Sequence, residues 1–352
     1  MSGADKSVEI GIVGMGRIGR VHLGNIAARL PHVHVRYVCD LLIEEDAEMR
    51  AFVEARVPAS CRLVTDYREV MADGAVQAVL CLASTNNHVA ICQAAIAAGK
   101  HVFCEKPVAM EVAETVAIME AAAARGVLFQ VGFNRRFDHN FKHIRDTVAS
   151  GRLGRPTVVH VISRDPTYDL GYIRRSIEEG GMFVDMTIHD FDMVQYMLGD
   201  DDPIVEVTAY GAVLCAPEIG ALGDVDTAVL ILRSKSGALA TIDNTRKAVY
   251  GYDQRVEVLC TNGCIQCDND RPTTCRTMLG DGMTEQDRIH WWFRERYPEA
   301  FITELREFFA LVAAGGAGTP PVGCRDMLRA MNVAFAANES LKTGLPAKVP
   351  QI

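Results

Sequence analysis

Hydrophobic positions fall into two regimes along this chain. In the first, apolar runs of strand length alternate with stretches of helical length. Val8–Val13 reads as a buried strand, residues 20–30 as a helix and Val33–Cys39 as a second strand. The alternation continues with a helix over 44–54, a strand over 75–83, a helix over 89–98 and an apolar run over 102–104. A helix over 113–125 and a strand over 128–132 complete the repeat. Strands separated by helix-length spacers imply a parallel, doubly wound sheet.

In the second regime strands follow one another. A helix over 141–150 precedes strands over 157–163, 204–214, 226–232, 238–244 and 254–260. One helix over 183–198 interrupts them, and two more, over 300–314 and 325–342, close the chain. Neighbouring strands without helices between them imply an open, largely antiparallel sheet.

The first strand runs into Gly14-Met15-Gly16-Arg17-Ile18-Gly19 and then into a helix. This is G-x-G-x-x-G in the setting that gives it meaning. Gly14 would make the tight turn, Gly16 would let the backbone approach a pyrophosphate, and Gly19 would permit close helix packing. Arg17 and Ile18 would lie in this turn, and the start of the following helix would present its amides to the phosphates. The second strand ends at Asp40, placed to bond the adenosine ribose hydroxyls and to repel a 2'-phosphate, so NAD is expected over NADP. The fold expected is α/β, with an N-terminal Rossmann dinucleotide-binding domain over 1–130. A C-terminal α+β domain over 131–352 would bind substrate and form oligomers.

Other candidates lie where strands end. Ser84, Asn87 and His88 follow the strand over 75–83 and suit a loop over the nicotinamide, although Ser84 or Thr85 could equally cap the next helix. The run over 102–104 ends in Glu105-Lys106-Pro107, and the proline stops the strand. Glu105 and Lys106 would therefore sit where cofactor and substrate meet. On the helix over 183–198, Asp185, His189, Asp192 and Tyr196 recur at spacings that share one face. A hydride-transfer enzyme acting on an alcohol needs a base, which His189 can supply with Asp185 orienting its ring. Lys106 can hydrogen-bond the developing alkoxide.

Composition narrows the partners. The net charge of −9 leaves no basic stripe for nucleic acid, and no apolar run reaches the roughly 20 residues a membrane helix needs. Residues 1–6 are polar and lead directly into a strand, with no signal-peptide pattern, so a cytoplasmic chain is expected. The 11 cysteines, scattered and often inside apolar runs, read as reduced thiols. Cys260, Cys264, Cys267 and Cys275 cluster, but a hairpin turning at Thr261-Asn262-Gly263 explains their spacing without a metal.

These motifs resemble the glucose–fructose oxidoreductase, inositol dehydrogenase and rhizopine-catabolism (Gfo/Idh/MocA) family over almost the whole chain. The resemblance rests on the stretch from Gly14 to His22, on Ala98 to Val102 running into Glu105-Lys106-Pro107, and on Asp185-x-x-x-His189. Segments 132–138, 185–192 and 250–256 bring it nearest to the family's inositol dehydrogenases. It implies an NAD-dependent dehydrogenase of a cyclic polyol, oxidising myo-inositol to 2-keto-myo-inositol, with Lys106, Asp185 and His189 as the catalytic trio. It also implies substrate contacts from Asn134 or Arg135, Asp165 and Tyr252, and a homodimer or homotetramer built through the second-domain sheet. The rival readings are a sugar or trans-dihydrodiol dehydrogenase and an NAD-sensing protein without turnover. A degenerate sensor would be expected to lose one of the trio, and all three residues are present.

Overall fold

The structure, a computed structural model, describes residues 6–352. It separates into two compact units. One comprises the chain up to Asn134 together with Glu299–Leu328, and the other comprises Arg135–Pro298 with Arg329–Ile352.

In the first unit, β1 (Val8–Val13), β2 (Val33–Cys39), β3 (Arg62–Val64), β4 (Ala78–Cys81), β5 (His101–Glu105) and β6 (Phe129–Gly132) form one sheet. Its order is β3-β2-β1-β4-β5-β6, and every pair is parallel. Helices α1 (Arg17–Arg29), α2 (Ala47–Glu54), α3 (Tyr67–Ala72), α4 (Thr85–Ala97) and α5 (Val112–Arg125) make the crossovers. The strand order reverses between β1 and β4, which opens a crevice at the strands' carboxyl ends. β3 and α3 escaped the hydrophobic pattern because β3 has three residues, only one of them buried.

The division of the chain differs from the boundary at residue 130. Ile302, Leu305, Phe308 and Phe309 of α12 (Pro298–Ala313) are buried in the same core as Ile10, Ile12, Leu80 and Phe103. The apolar stripe of that late helix covers the first sheet, so the chain returns to its first domain before α13 (Cys324–Thr343) leads out again.

The second unit holds the sheet β12-β11-β7-β10-β9-β8-β15. Its strands are β7 (Pro156–Arg164), β8 (Ile204–Ala212), β9 (Thr227–Ser234), β10 (Leu239–Thr245), β11 (Asp253–Cys260), β12 (Gly263–Gln266) and β15 (Ala347–Lys348). All pairs are antiparallel except the central β7–β10. Around it lie α6 (His139–Ala149), α7 (Leu170–Glu178), α8 (Gly181–Asp185), α9 (Ile188–Leu198) and the short α10 (Pro217–Gly220) and α11 (Phe293–Arg296). β11 and β12 form the hairpin read from the cysteine spacing, with Cys260 opposite Gly263. All 11 cysteines are free thiols. An exposed hairpin, β13 (Arg276–Met278) with β14 (Thr284–Gln286), had no hydrophobic pattern to announce it. Among the described residues, no helix is long and apolar enough to cross a membrane.

The continuous helix expected over 183–198 is two helices. The amides of Met186 and Thr187 both bond the carbonyl of Met182, and that of Asp190 bonds Thr187 at 2.8 Å, so the ladder changes register between α8 and α9. Thr187 Oγ1 donates to Asn244 Oδ1 at 2.7 Å, fixing the break to the end of β10.

Candidate active site

The first unit builds its site at the mouth of β1. Gly14 has φ +101°, and a Cβ there would lie 2.4 Å from the amide of Ala83, so this turn admits only glycine. A Cβ on Gly19 would meet the Gly14 carbonyl oxygen at 2.2 Å, the mark of a helix pressed onto its own entry turn. A Cβ on Gly16 would meet nothing within 4 Å. Gly16 and Arg17 are exposed, Ile18 is half-buried, and α1 begins with neither a side-chain cap nor an acid in its first turn. Free amides and an uncovered backbone fit a pyrophosphate.

Asp40 ends β2, half-buried, and its carboxylate accepts the amides of Met15 at 2.7 Å and Leu42 at 2.9 Å. The acid is thereby fixed beside the glycine turn. Ser84 and Asn87 are exposed at the start of α4, joined by a bond from Asn87 Nδ2 to Ser84 Oγ at 2.8 Å. His88 departs from its expected place: it is buried, with Nδ1 2.8 Å from the Pro107 carbonyl and Nε2 3.0 Å from that of Ala83. Its ring ties together the loops after β4 and β5, and is spent on backbone rather than presented to a cofactor. Glu105 likewise turns its carboxylate inward, 3.0 Å from His22 Nε2, while Lys106 beside it is half-buried.

The second unit gathers its polar residues where the parallel strands β7 and β10 end. Asp165 follows β7 and is half-buried, while Arg246, after β10, and Tyr252, before β11, are buried. Arg246 donates to Asp185 Oδ2 from both terminal nitrogens at 3.3 Å, and Tyr172 donates to Asp185 Oδ1. Arg135 donates to Asp190 at 2.5 Å and to Ser163 at 3.3 Å, with the Tyr252 hydroxyl 3.5 Å away. Asn244 bridges Asp190 and the Ser163 carbonyl at 2.9 and 3.0 Å. His189 opens α9, half-buried, one residue before Asp190. Asn134, the last residue of the first unit's opening segment, is buried at the start of a short 3-10 turn.

Burial sets the electrostatics. It pushes the Asp165 carboxyl up to about 6 against the pull of Arg246 and Arg135, and raises Asp190 against Arg135. The Tyr252 hydroxyl is pushed up to about 12 by burial, with Arg135 opposing, so it is a hydrogen-bond donor throughout the neutral range. The face read for Asp192 and Tyr196 belongs to a different contact: Arg136 grips Asp192 with two nitrogens at 2.6–3.1 Å and lies 5.0 Å over the Tyr196 ring.

Four residues of this cluster, Tyr172, Asp190, Asn244 and Arg246, were not singled out in the sequence. Arg246 had a signal: like Lys106, it is a cation directly behind a strand.

A model of the oxidoreductase family with an NAD-binding Rossmann fold matches residues 8–133, and one of the GFO/IDH/MocA C-terminal domain matches residues 141–266. The chain belongs to the Gfo/Idh/MocA family. As a member it is an NAD-dependent oxidoreductase, and the glycine turn, bare helix start and fixed acid of its first unit fit that cofactor. Among relatives in the Gfo/Idh/MocA family, it is 40% identical to a myo-inositol 2-dehydrogenase of Thermotoga maritima over 98% of this chain and 99% of that protein. The crystal structure of a myo-inositol dehydrogenase from Corynebacterium glutamicum matches with a TM-score of 0.88 at 34% identity, covering 98% of this chain and 100% of the other. A myo-inositol dehydrogenase from Lactobacillus casei, solved with NAD(H) and myo-inositol, matches at 0.84 and 25% identity over 98% of both chains.

Proposed function

We propose that this chain oxidises one CH–OH group of a cyclic polyol, and that the polyol is myo-inositol, converted to 2-keto-myo-inositol. The observation that carries the reading is the cluster at the ends of β7 and β10. Its buried acids, arginines and tyrosine are the donors and acceptors that a ring of hydroxyls requires. The relatives at 34–40% identity named for inositol support the same substrate.

In this reading His189 takes the hydroxyl proton, Asp185 orients its ring, and Lys106 hydrogen-bonds the oxygen as it becomes a carbonyl. The C–H hydrogen leaves as hydride to NAD. Arg246 and Tyr172 hold Asp185 in place. Asp165, Tyr252, Asn134 and Arg135 contact or frame the substrate, while the turn from Gly14 to Gly19, Asp40, Ser84 and Asn87 serve the cofactor. Asp40 would select NAD over NADP. The protein would work in the cytoplasm as a homodimer or homotetramer built on the second-unit sheet.

The test is NADH formation with a panel of inositol isomers, aldoses and trans-dihydrodiols, each with NAD and NADP, using His189→Ala beside the wild type. Myo-inositol with NAD should give the highest kcat/KM, and His189→Ala should lower kcat by about 10²–10⁴-fold. A preferred aldose or dihydrodiol would replace the substrate. Near-wild-type turnover by His189→Ala would remove the base.

A further inference from the structure

Inside the first unit the side chains of His22 on α1, Glu105 at the end of β5 and Glu304 on α12 converge. The His22 and Glu304 side chains are fully buried. His22 Nε2 lies 3.0 Å from Glu105 Oε1 and 4.0 Å from Glu304 Oε1, and a ligand atom from each of the three lies within 4.8 Å of the others. Phe103 and Phe301 pack edge-on against the His22 ring. Gln130 Nε2 bonds the backbone carbonyl of Glu304, not its carboxyl group. Among the described residues, neither carboxyl oxygen of Glu304 accepts a hydrogen bond, and His22 Nδ1 has no partner.

Charge accounting constrains what these groups are. Glu105, as the carboxylate, accepts Nε2–H from His22, which leaves Nδ1 a bare nitrogen and no buried N–H unmet. A second carboxylate at Glu304 would put two anions within 4.8 Å in a dry site. Burial, reinforced by Glu105, accordingly holds the Glu304 carboxyl well above the usual range. The space for the Glu105 carboxylate is limited from the other side by Gly132, its partner on β6. A Cβ there would lie 3.0 Å from the carboxyl carbon.

We infer that Glu304 is a neutral positioning residue: its O–H, together with His22, fixes the Glu105 carboxylate and so the backbone that presents Lys106. The inference rests on the role given to Lys106 above. It also explains why three elements far apart in sequence spend buried polar groups at one point. α1 carries the glycine turn, so the same cluster ties the cofactor loop to the lysine strand.

The experiment compares wild type with Glu304→Gln, Glu304→Leu and Gly132→Ala. Glutamine reproduces a neutral donor, so Glu304→Gln should keep kcat within about twofold and an unchanged pH profile. Glu304→Leu and Gly132→Ala should lower kcat by about 10–100-fold, the scale of a displacement of about 1 Å, with NAD binding changed less than kcat. Infrared spectra should show the carbonyl band of a buried protonated carboxyl in wild type and not in Glu304→Gln. Absence of that band, or a Glu304→Gln as impaired as Glu304→Leu, overturns the inference. So does one equivalent of bound metal that Glu304→Gln loses, since a cation would then occupy the place of the proton. If Glu304→Leu does not fold, Gly132→Ala and the band still decide, and wild-type kcat in Gly132→Ala counts against positioning. Lys106→Ala with near-wild-type turnover would remove the role of Lys106 while leaving the band intact, so the two failures are separable.

Discussion

At Asp165 the ordinary preference of a carboxyl group for ionisation at neutral pH is opposed by its surroundings. Burial pushes it up to about 6, with Arg246 and Arg135 pulling the other way. The folded value lies above the unfolded one of about 3.9, so the fold favours the protonated form. The associated stability is present in full below about pH 4 and is lost as pH rises through about 6, an effect of at most about 3 kcal/mol. Asp165→Asn carries no such titration. Urea unfolding should therefore show wild type losing stability relative to Asp165→Asn between about pH 4 and pH 7, and a constant difference across that range would refute the shift. Single residues were legible in the sequence where their chemistry follows from a local turn, as for Gly14, Gly16, Gly19 and Asp40. They were not legible where partners come from separate elements: Arg246 after β10 meets Asp185 of α8, and Asn244 of β10 meets Asp190 of α9. His88 and Glu105, expected at the cofactor, turn their side chains to the protein's own backbone and core instead.

At the scale of elements, β1, β2, β5 and β6 could be read to within a residue of their ends because their apolar runs are sharply bounded, whereas β4 is shorter than the run over 75–83 and β3 was missed. The break between α8 and α9 could not be read, since Met186 and Thr187 fit a helical wheel and are diverted only by the bond from Thr187 to Asn244. The entry turn of α1 separates fold from function in a way that can be measured. A Cβ on Gly16 meets no protein atom within 4 Å, and its φ of −67° suits any residue. Gly16→Ala should thus leave Tm nearly unchanged while weakening NAD by about tenfold or more, because the methyl takes the space the pyrophosphate needs. Gly19→Ala, whose Cβ would sit 2.2 Å from the Gly14 carbonyl oxygen, should instead unfold more easily, by about 1–3 kcal/mol in a urea titration. Equal effects on Tm, or unaltered NAD affinity in Gly16→Ala, would show that the glycines do not divide the work this way.

For the whole molecule, the proposed homodimer or homotetramer turns on the open face of the second sheet. Along β9, Ala228, Leu230 and Leu232 are buried while Val229 and Ile231 are 47% and 48% exposed, so an apolar row points to each side of the strand. The register extends that open row. Tyr210 on β8 pairs with Val229, Thr241 on β10 pairs with Ile231, and Leu239 on β10 and Leu259 on β11 both flank Val158 of β7. Tyr210, Val229, Ile231, Leu239 and Leu259 are exposed apolar side chains on this face, interleaved with Thr241, His160 and Glu257, and such a mixed surface gains by covering its apolar part. In the proposed oligomer a second copy of the same sheet would cover it, since a two-fold interface matches a patch to itself. Val229→Glu with Ile231→Glu would then place like charges across the two-fold and strand them away from water. Sedimentation should find the wild type as a dimer or tetramer and the double variant as a smaller species. Its far-ultraviolet circular dichroism should be unchanged, because both side chains already point out of the protomer's core. A wild type that sediments as a monomer at micromolar concentration would end the assignment, and the open row would need a different partner.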